Sequence, residues 1–297
     1  MSLAHKVDVP LMEEFPRFNK DPYMPAYAGR IMMVGPSRSG KTVVVTNMLL
    51  KGWLNYDNLF IYAKSLEQPI YRTIYDYAEE LNLIDNGIYM YDNIDEDMIS
   101  VDDLKASERN IIVIDDFLAD KQKVLMLEDF IFRCRHKNVT FIFIGQYYMR
   151  IPKSFRTNSS HWIVFKNSFS IAKEFDDFIK NMSGKHLKKE EIQSLSEKVY
   201  DKDNSFLVVD RETTDPRMTL RKGFDLMYMD GEFQPLDKEE HKEMKKEASR
   251  LYKLPPVSEK KDVGDAEETD VVQGGGRLVS IEELDKLYPP ITSWTKV

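Results

Sequence analysis

A single cysteine, Cys134, stands among the 297 residues, which excludes an internal disulfide framework and suits a reducing compartment. No stretch reaches the roughly 18 consecutive apolar residues that a membrane-spanning helix needs, so no membrane span is expected. Met1 to Phe15 carries acids and lacks an apolar core segment, so no secretory signal is expected either. Net positive charge is also missing. The balance is 42 Lys and Arg against 50 Asp and Glu, a net −8, which argues against a uniformly basic nucleic-acid binder. One local deficit runs the other way: from Phe130 to Lys173 there is no Asp or Glu at all. Arg133, Arg135, Lys137, Arg150, Lys153, Arg156, Lys166 and Lys173 fall in that stretch. An acid-free basic block inside an acidic chain suggests a surface for phosphates, of a nucleotide or a nucleic acid; the plain alternative is solvated loop charge. What remains, 42% hydrophobic and 11% aromatic, is ordinary for a folded chain with one large domain and appendages.

Against this background one segment is specific. Gly35-Pro36-Ser37-Arg38-Ser39-Gly40-Lys41-Thr42 is a complete G-x-x-x-x-G-K-[ST] phosphate-binding loop. It follows the apolar run Ile31 to Val34 and precedes another, Val43 to Leu50, so it lies between a strand and a helix as the motif requires. In such a loop backbone N–H groups and the helix N-terminus cradle phosphate oxygens. Lys41 then reaches the β- and γ-phosphates of ATP and Thr42 ligates Mg²⁺. The plain alternative is a flexible glycine turn, and the flanking runs weigh against it.

Around the loop, apolar runs alternate with helical stretches. Strands are expected at 30–35, 58–63, 87–91, 110–114, 139–145, 161–166 and 204–209, with helices at 41–52, 68–82, 120–135, 170–182 and 187–200. This alternation predicts an α/β fold with a mainly parallel central sheet flanked by helices. The unbroken apolar character of 110–114 and 139–145 suits strands covered on both faces. Residues 1–28, with four prolines, read as an extended N-terminal arm, and 29–235 as the core. The tail, 236–297, reads as a charged helix (Leu236 to Tyr252), a flexible acidic linker and a short terminal helix with Ser280 and Glu283 at capping-box spacing.

A triphosphate site needs a carboxylate for the cation, at the end of a buried strand beside the loop. Asn110-Ile111-Ile112-Val113-Ile114-Asp115-Asp116 supplies one. Asp115 is the expected Mg²⁺ residue, with Thr42; Asp116 is the expected catalytic group that orients or deprotonates the attacking water. Gln146, at the end of 139–145, can hydrogen-bond the γ-phosphate or that water. Acids and glutamines at strand ends are commonly just solvated polar residues, and only the loop beside them raises these two above that reading.

Taken in order, Gly35–Thr42, Ile111–Asp116, Arg135 eleven residues before Gln146, and Ile151-Pro152-Lys153-Ser154-Phe155-Arg156-Thr157-Asn158 resemble the FtsK–HerA superfamily of DNA-translocating P-loop ATPases. Within it the series is most similar to the poxvirus-type genome-packaging ATPases of large DNA viruses and their relatives. The resemblance covers about 29–225. It implies a P-loop NTPase fold of the RecA/ASCE-like kind, and Arg135 as the arginine that reaches a neighbouring subunit's nucleotide, with Arg133 able to take the role instead. It also implies nucleotide-sensing or subunit-contact roles for Arg156 and Asn158. Where many relatives carry Asp-Glu, this chain has Asp115-Asp116, one methylene shorter at the second position. Arg217 to Phe224 resembles the closing Arg-containing segment of these motors.

The function so implied is an ATP-hydrolysing translocase of double-stranded DNA, assembled as a homo-oligomeric ring of five or six subunits. It would package a viral genome into a capsid, with capsid or portal-vertex proteins as partners, in the host cytoplasm or the virion. A cellular HerA-like translocase or helicase, and a slow nucleotide-binding switch or adaptor, are the alternatives. A small-molecule P-loop kinase fits less well, since no acceptor-binding lid motif is found. Lys185, Lys188 and Lys189 are weaker candidates for DNA contact, a solvated helical face being the plainer reading.

Overall fold

The computed structural model describes residues 19, 21–25, 28–81, 83–84, 87–94, 98–116 and 121–252, with side chains omitted for 121–124 and 251–252. The strands are β1 Arg30–Val34, β2 Asn58–Ala63, β3 Ile88–Tyr91, β4 Asn110–Asp115, β5 Val139–Gly145 and β6 His161–Phe165, then β7 Phe206–Asp210, β8 Leu220–Lys222, β9 Leu226–Met229 and β10 Glu232–Pro235. All ten join one sheet in the order β10-β9-β8-β7-β6-β1-β5-β4-β2-β3. From β3 to β6 every pairing is parallel; from β6 to β10 every pairing is antiparallel. The sheet is therefore a parallel half carrying the loop-to-helix crossovers and an antiparallel extension.

Helices cover both faces of the parallel half. They are α1 Lys41–Leu50, α2 Pro69–Glu80, α3 Lys121–Arg133, α4 Lys153–Asn158, α5 Ala172–Met182 and α6 Lys189–Val199, with α7 Lys238–Tyr252 beyond the sheet. Alternate residues of β1 serve the two sides, as the strand period demands. Ile31 and Met33 join Val45, Met48 and Leu49 of α1 and Ile74 of α2. Met32 and Val34 join Leu127 and Ile131 of α3, Phe155 of α4, Phe178 of α5 and Leu195 of α6. With both faces covered, every residue of β5 is buried, which is why its sequence is apolar without alternation.

The structure differs from the sequence reading at three places. The strand expected at 204–209 runs from Phe206 to Asp210, because Asn204 adopts a left-handed conformation (φ 64) that breaks the extended run. The helices expected from 170 and 187 begin at Ala172 and Lys189. Strands β8, β9 and β10 lie past the last strand expected; they are three or four residues long, too short for a period-2 pattern to stand out. The loop ahead of β1 closes as a turn, with Tyr23 N–H donating to Asp21 Oδ1 at 2.9 Å. Fully buried Arg221 of β8 donates to the Tyr23 carbonyl at 2.9 Å and so fastens that turn to the sheet. The linker, the terminal helix with Ser280 and Glu283, and residues 1–18 lie outside the described residues.

The outer strands are short. β10 ends in Pro235, which offers no N–H, and β3 has four residues, Tyr89 and Tyr91 stacking on Phe60 and Tyr62 of β2.

Candidate nucleotide site and the opposite edge

Because β1, β4 and β5 are parallel and in register, their C-terminal ends meet at one edge. Val34 lies beside Gly145, and Asp115 beside Ile144. Gly35 to Thr42 leaves β1 at that edge, with Gly35 N–H donating to the Gly145 carbonyl at 3.2 Å and the buried Ser168 hydroxyl donating to the Val34 carbonyl at 2.8 Å. The loop turns through Arg38 (φ 65) and Gly40 (φ 98), both left-handed. Gly40 accepts the first helical bond of α1, from Val44 at 3.0 Å. Gly35 is needed for space: a Cβ there would lie 2.6 Å from Ser39 Oγ and 2.7 Å from Phe165 Cβ.

Lys41 is 9% exposed, and its Nζ donates to the Gly35 and Pro36 carbonyls at 2.7 and 2.8 Å. Burial pulls its pKa down, against the opposing fields of Asp115 and Asp116. Ser39 Oγ is buried with no hydrogen-bond partner among the described residues, a donor held ready inside the loop.

Both carboxylates of the sequence reading arrive at this edge. Burial raises the pKa of Asp115 and the neighbouring charge of Asp116 adds to it, while a hydrogen bond from Tyr71 and the field of Lys41 oppose. Tyr71 Oη donates to Asp115 Oδ2 in a short contact. Desolvation, joined by Asp115, holds that phenol protonated far above the ordinary tyrosine range. Asp116 sits in the left-handed region (φ 62), which turns its carboxylate out of the strand direction; Gln146 Nε2 donates to its Oδ2 at 3.2 Å. Lys41, Thr42, Asp115, Asp116 and Gln146 thus share one end of the sheet.

Arg135 does not. It lies in the 3₁₀ turn Cys134–Lys137, immediately ahead of β5, at the edge opposite the loop. Its Nη2 pairs with Glu212 Oε1 at 3.0 Å, and Arg30 Nη2 approaches the same oxygen at 3.9 Å. Arg133, at the end of α3, is tied to Asp102 and Asp129. The Arg156 guanidinium lies over the Tyr148 ring at 4.9 Å, and Asn158 Nδ2 donates to the Ser154 carbonyl at 2.8 Å, so both are engaged by their own loop and helix. Lys185 is part-buried ahead of α6, while Lys188 and Lys189 flank the start of that helix, Lys189 exposed.

Two residues here escaped the sequence reading. Tyr71, with Ile74 and Ala78, occupies the buried stripe of α2 and reads as an ordinary core aromatic. Glu212 follows β7 in a run of mixed charge, where nothing marks it as the partner of Arg135.

Structural comparison finds the genome packaging NTPase B204 of Sulfolobus turreted icosahedral virus 2 in complex with ATP-gammaS, 15% identical with a TM-score of 0.45, covering 66% of this chain and 96% of that one. It also finds EssC (ATPases 2 and 3) of Geobacillus thermodenitrificans, 14% identical with a TM-score of 0.37, covering 75% and 43%. No curated protein matches the chain. The profile of the poxvirus A32 protein family matches residues 16–210, a span that holds the loop, both aspartates, Gln146 and Arg135. The chain belongs to the poxvirus A32 protein family.

Proposed function

We propose that the chain is an ATPase motor that drives double-stranded DNA, packaging a viral genome into a capsid as a homo-oligomeric ring. One observation carries this reading: the phosphate loop, two carboxylates and Gln146 converge at one end of the parallel sheet, while Arg135 stands at the other end of the same strand that delivers Gln146. A subunit so built has a hydrolysis site on one edge and an arginine for its neighbour's site on the other. Membership of the A32 family and the acid-free basic stretch support DNA as the cargo.

The residues present fit a magnesium nucleotide. Gly35 lets the loop close against Ser39 and Phe165 where no Cβ would fit, Ser39 keeps an uncommitted hydroxyl, and the hard oxygens of Thr42 and Asp115 suit Mg²⁺. When bound, the cation would neutralise charge on the β- and γ-phosphates. Lys41 exchanges its two loop carbonyls for phosphate oxygens. Asp116, held by Gln146, orients the attacking water and accepts its proton. Arg135 of one subunit leaves Glu212 to neutralise the phosphoryl group transferred in the next. Capsid or portal-vertex proteins and a place in the host cytoplasm or the virion belong to the same proposal.

The test is ATP hydrolysis with and without double-stranded DNA, for wild type, Lys41→Ala, Arg135→Ala and an equal mixture of the two variants. DNA-stimulated turnover in the wild type and its loss in each variant are expected. Mixing should restore activity, since by random assortment roughly a quarter of sites pair an intact loop with an intact arginine. Two oligomeric variants that fail to rescue one another would remove Arg135 from the shared site, and full activity in Lys41→Ala would sink the motor reading.

A further inference from the structure

We propose that Tyr71 is a positioning residue of the cation site: its buried phenol gives its proton to Asp115, so that this carboxylate is aimed before a cation arrives. The proposal rests on the reading that Thr42 and Asp115 hold Mg²⁺.

The placement follows from the fold. Strands β2 and β4 are paired with Ala63 beside Asp115, so the chain leaving β2 reaches α2 next to that carboxylate. Pro69 opens α2, and Tyr71, fully buried, packs its ring among the apolar residues on the α1 side of the sheet. Its N–H donates to the Gln68 carbonyl at 3.0 Å. Both ring and backbone are therefore fixed, and the hydroxyl is directed at Asp115.

The chemistry of a carboxylate ligand makes that contact consequential. A carboxylate left to itself rotates; Tyr71 engages Oδ2 and leaves Oδ1 for the cation or its water. Outer partners of this kind orient metal ligands, and their loss typically costs about 10- to 100-fold in metal affinity. The same contact joins the site to α2.

Tyr71→Phe keeps the ring and removes the hydrogen bond to Asp115. The experiment uses the full-length chain and a fluorescently labelled ATP, measuring affinity first in EDTA and then across a Mg²⁺ titration. Tyr62→Phe is the comparison, since Tyr62 is an equally buried tyrosine whose oxygen accepts from Ile99 N–H at 3.0 Å. The expected result is unchanged affinity in EDTA for both variants, with the Mg²⁺ concentration at half-effect raised about tenfold or more in Tyr71→Phe alone. Equal Mg²⁺ dependence in Tyr71→Phe and wild type overturns the proposal and leaves the cation reading standing. Loss of binding in EDTA overturns it too, because Tyr71 would then be needed only for folding. Wild-type binding that ignores Mg²⁺ removes the cation reading, and the proposal with it.

Discussion

Arg135 and Glu212 form an ion pair at 3.0 Å, at the end of β5 farthest from Gln146. The seven residues of β5 span about 23 Å at the usual strand rise, so within one subunit this guanidinium is separated from the loop by the length of that strand. Glu212 holds it in a defined place at that edge.

Arg135→Ala should therefore split binding from turnover. The affinity of the chain for ATP is expected to stay within about twofold of wild type, while hydrolysis falls by about 10³-fold or more, the usual loss for an arginine finger. Parallel measurement of nucleotide affinity and phosphate release checks this, and a large loss of affinity would count against it.

Asp116 carries a backbone requirement as well as a chemical one. Asn tolerates the left-handed conformation and Ala does not. Asp116→Asn should melt within a few degrees of wild type yet lose about 10²- to 10⁴-fold in turnover. Asp116→Ala should lose the same activity and about 1–2 kcal/mol of stability besides. Thermal melts alongside phosphate release separate the two effects.

Gly35→Ala places a methyl group against Ser39 Oγ and Phe165. The overpacking should cost about 1–3 kcal/mol and displace the loop whose N–H groups meet phosphate. A lowered melting temperature together with at least tenfold weaker nucleotide binding is the expected pair of results. A variant with native affinity would show that the loop relaxes around the added atom.

Asp210, at the edge that holds Arg135, gives an acid-dependent contribution. Burial by itself would raise its pKa, but the hydrogen bond and field of His161 and the field of Arg221 outweigh burial and hold it at about 2, against 3.8 for a free aspartate. A depressed carboxylate stabilises the fold above its unfolded pKa and loses that stabilisation as pH falls through the folded one. The shift corresponds to about 2 kcal/mol while His161 is protonated, and it fades as pH falls between about 4 and 2. Denaturant melts of wild type and Asp210→Asn should therefore differ near about pH 5 and converge toward about pH 2. A gap that does not change with pH would point to packing instead.

How much of this was legible follows from what a strand or a helix writes into sequence. Ile111 to Ile114 and Val139 to Ile144 are apolar on both faces and announce buried parallel strands. Gly35 to Thr42 announces its own chemistry. Strand order is a different matter, since nothing in the local pattern of β1 says that β5 and β6 will flank it. That order alone puts Asp115 and Gln146 beside the loop and Arg135 away from it. Tyr71 was hidden for a related reason. Its spacing to Ile74 and Ala78 is the spacing of any core stripe, and only the pairing of Ala63 with Asp115 reveals what its hydroxyl meets. In β8 to β10, Arg221 and Lys222 sit among apolar neighbours in segments too brief to carry a pattern.

The blunt rims of the sheet bear on how subunits would meet. A four-residue strand bounds one side and a strand ending in Pro235 bounds the other, and such rims offer little for a neighbour's backbone to zip onto. In the proposed ring, contacts between copies would be made by side chains, the Arg135 guanidinium among them. Side-chain contacts can be released and remade one at a time, whereas a shared β-ladder would have to be unzipped as a unit. In the proposed ring, a molecule bounded in this way would shift against its neighbour without its fold taking part in the movement.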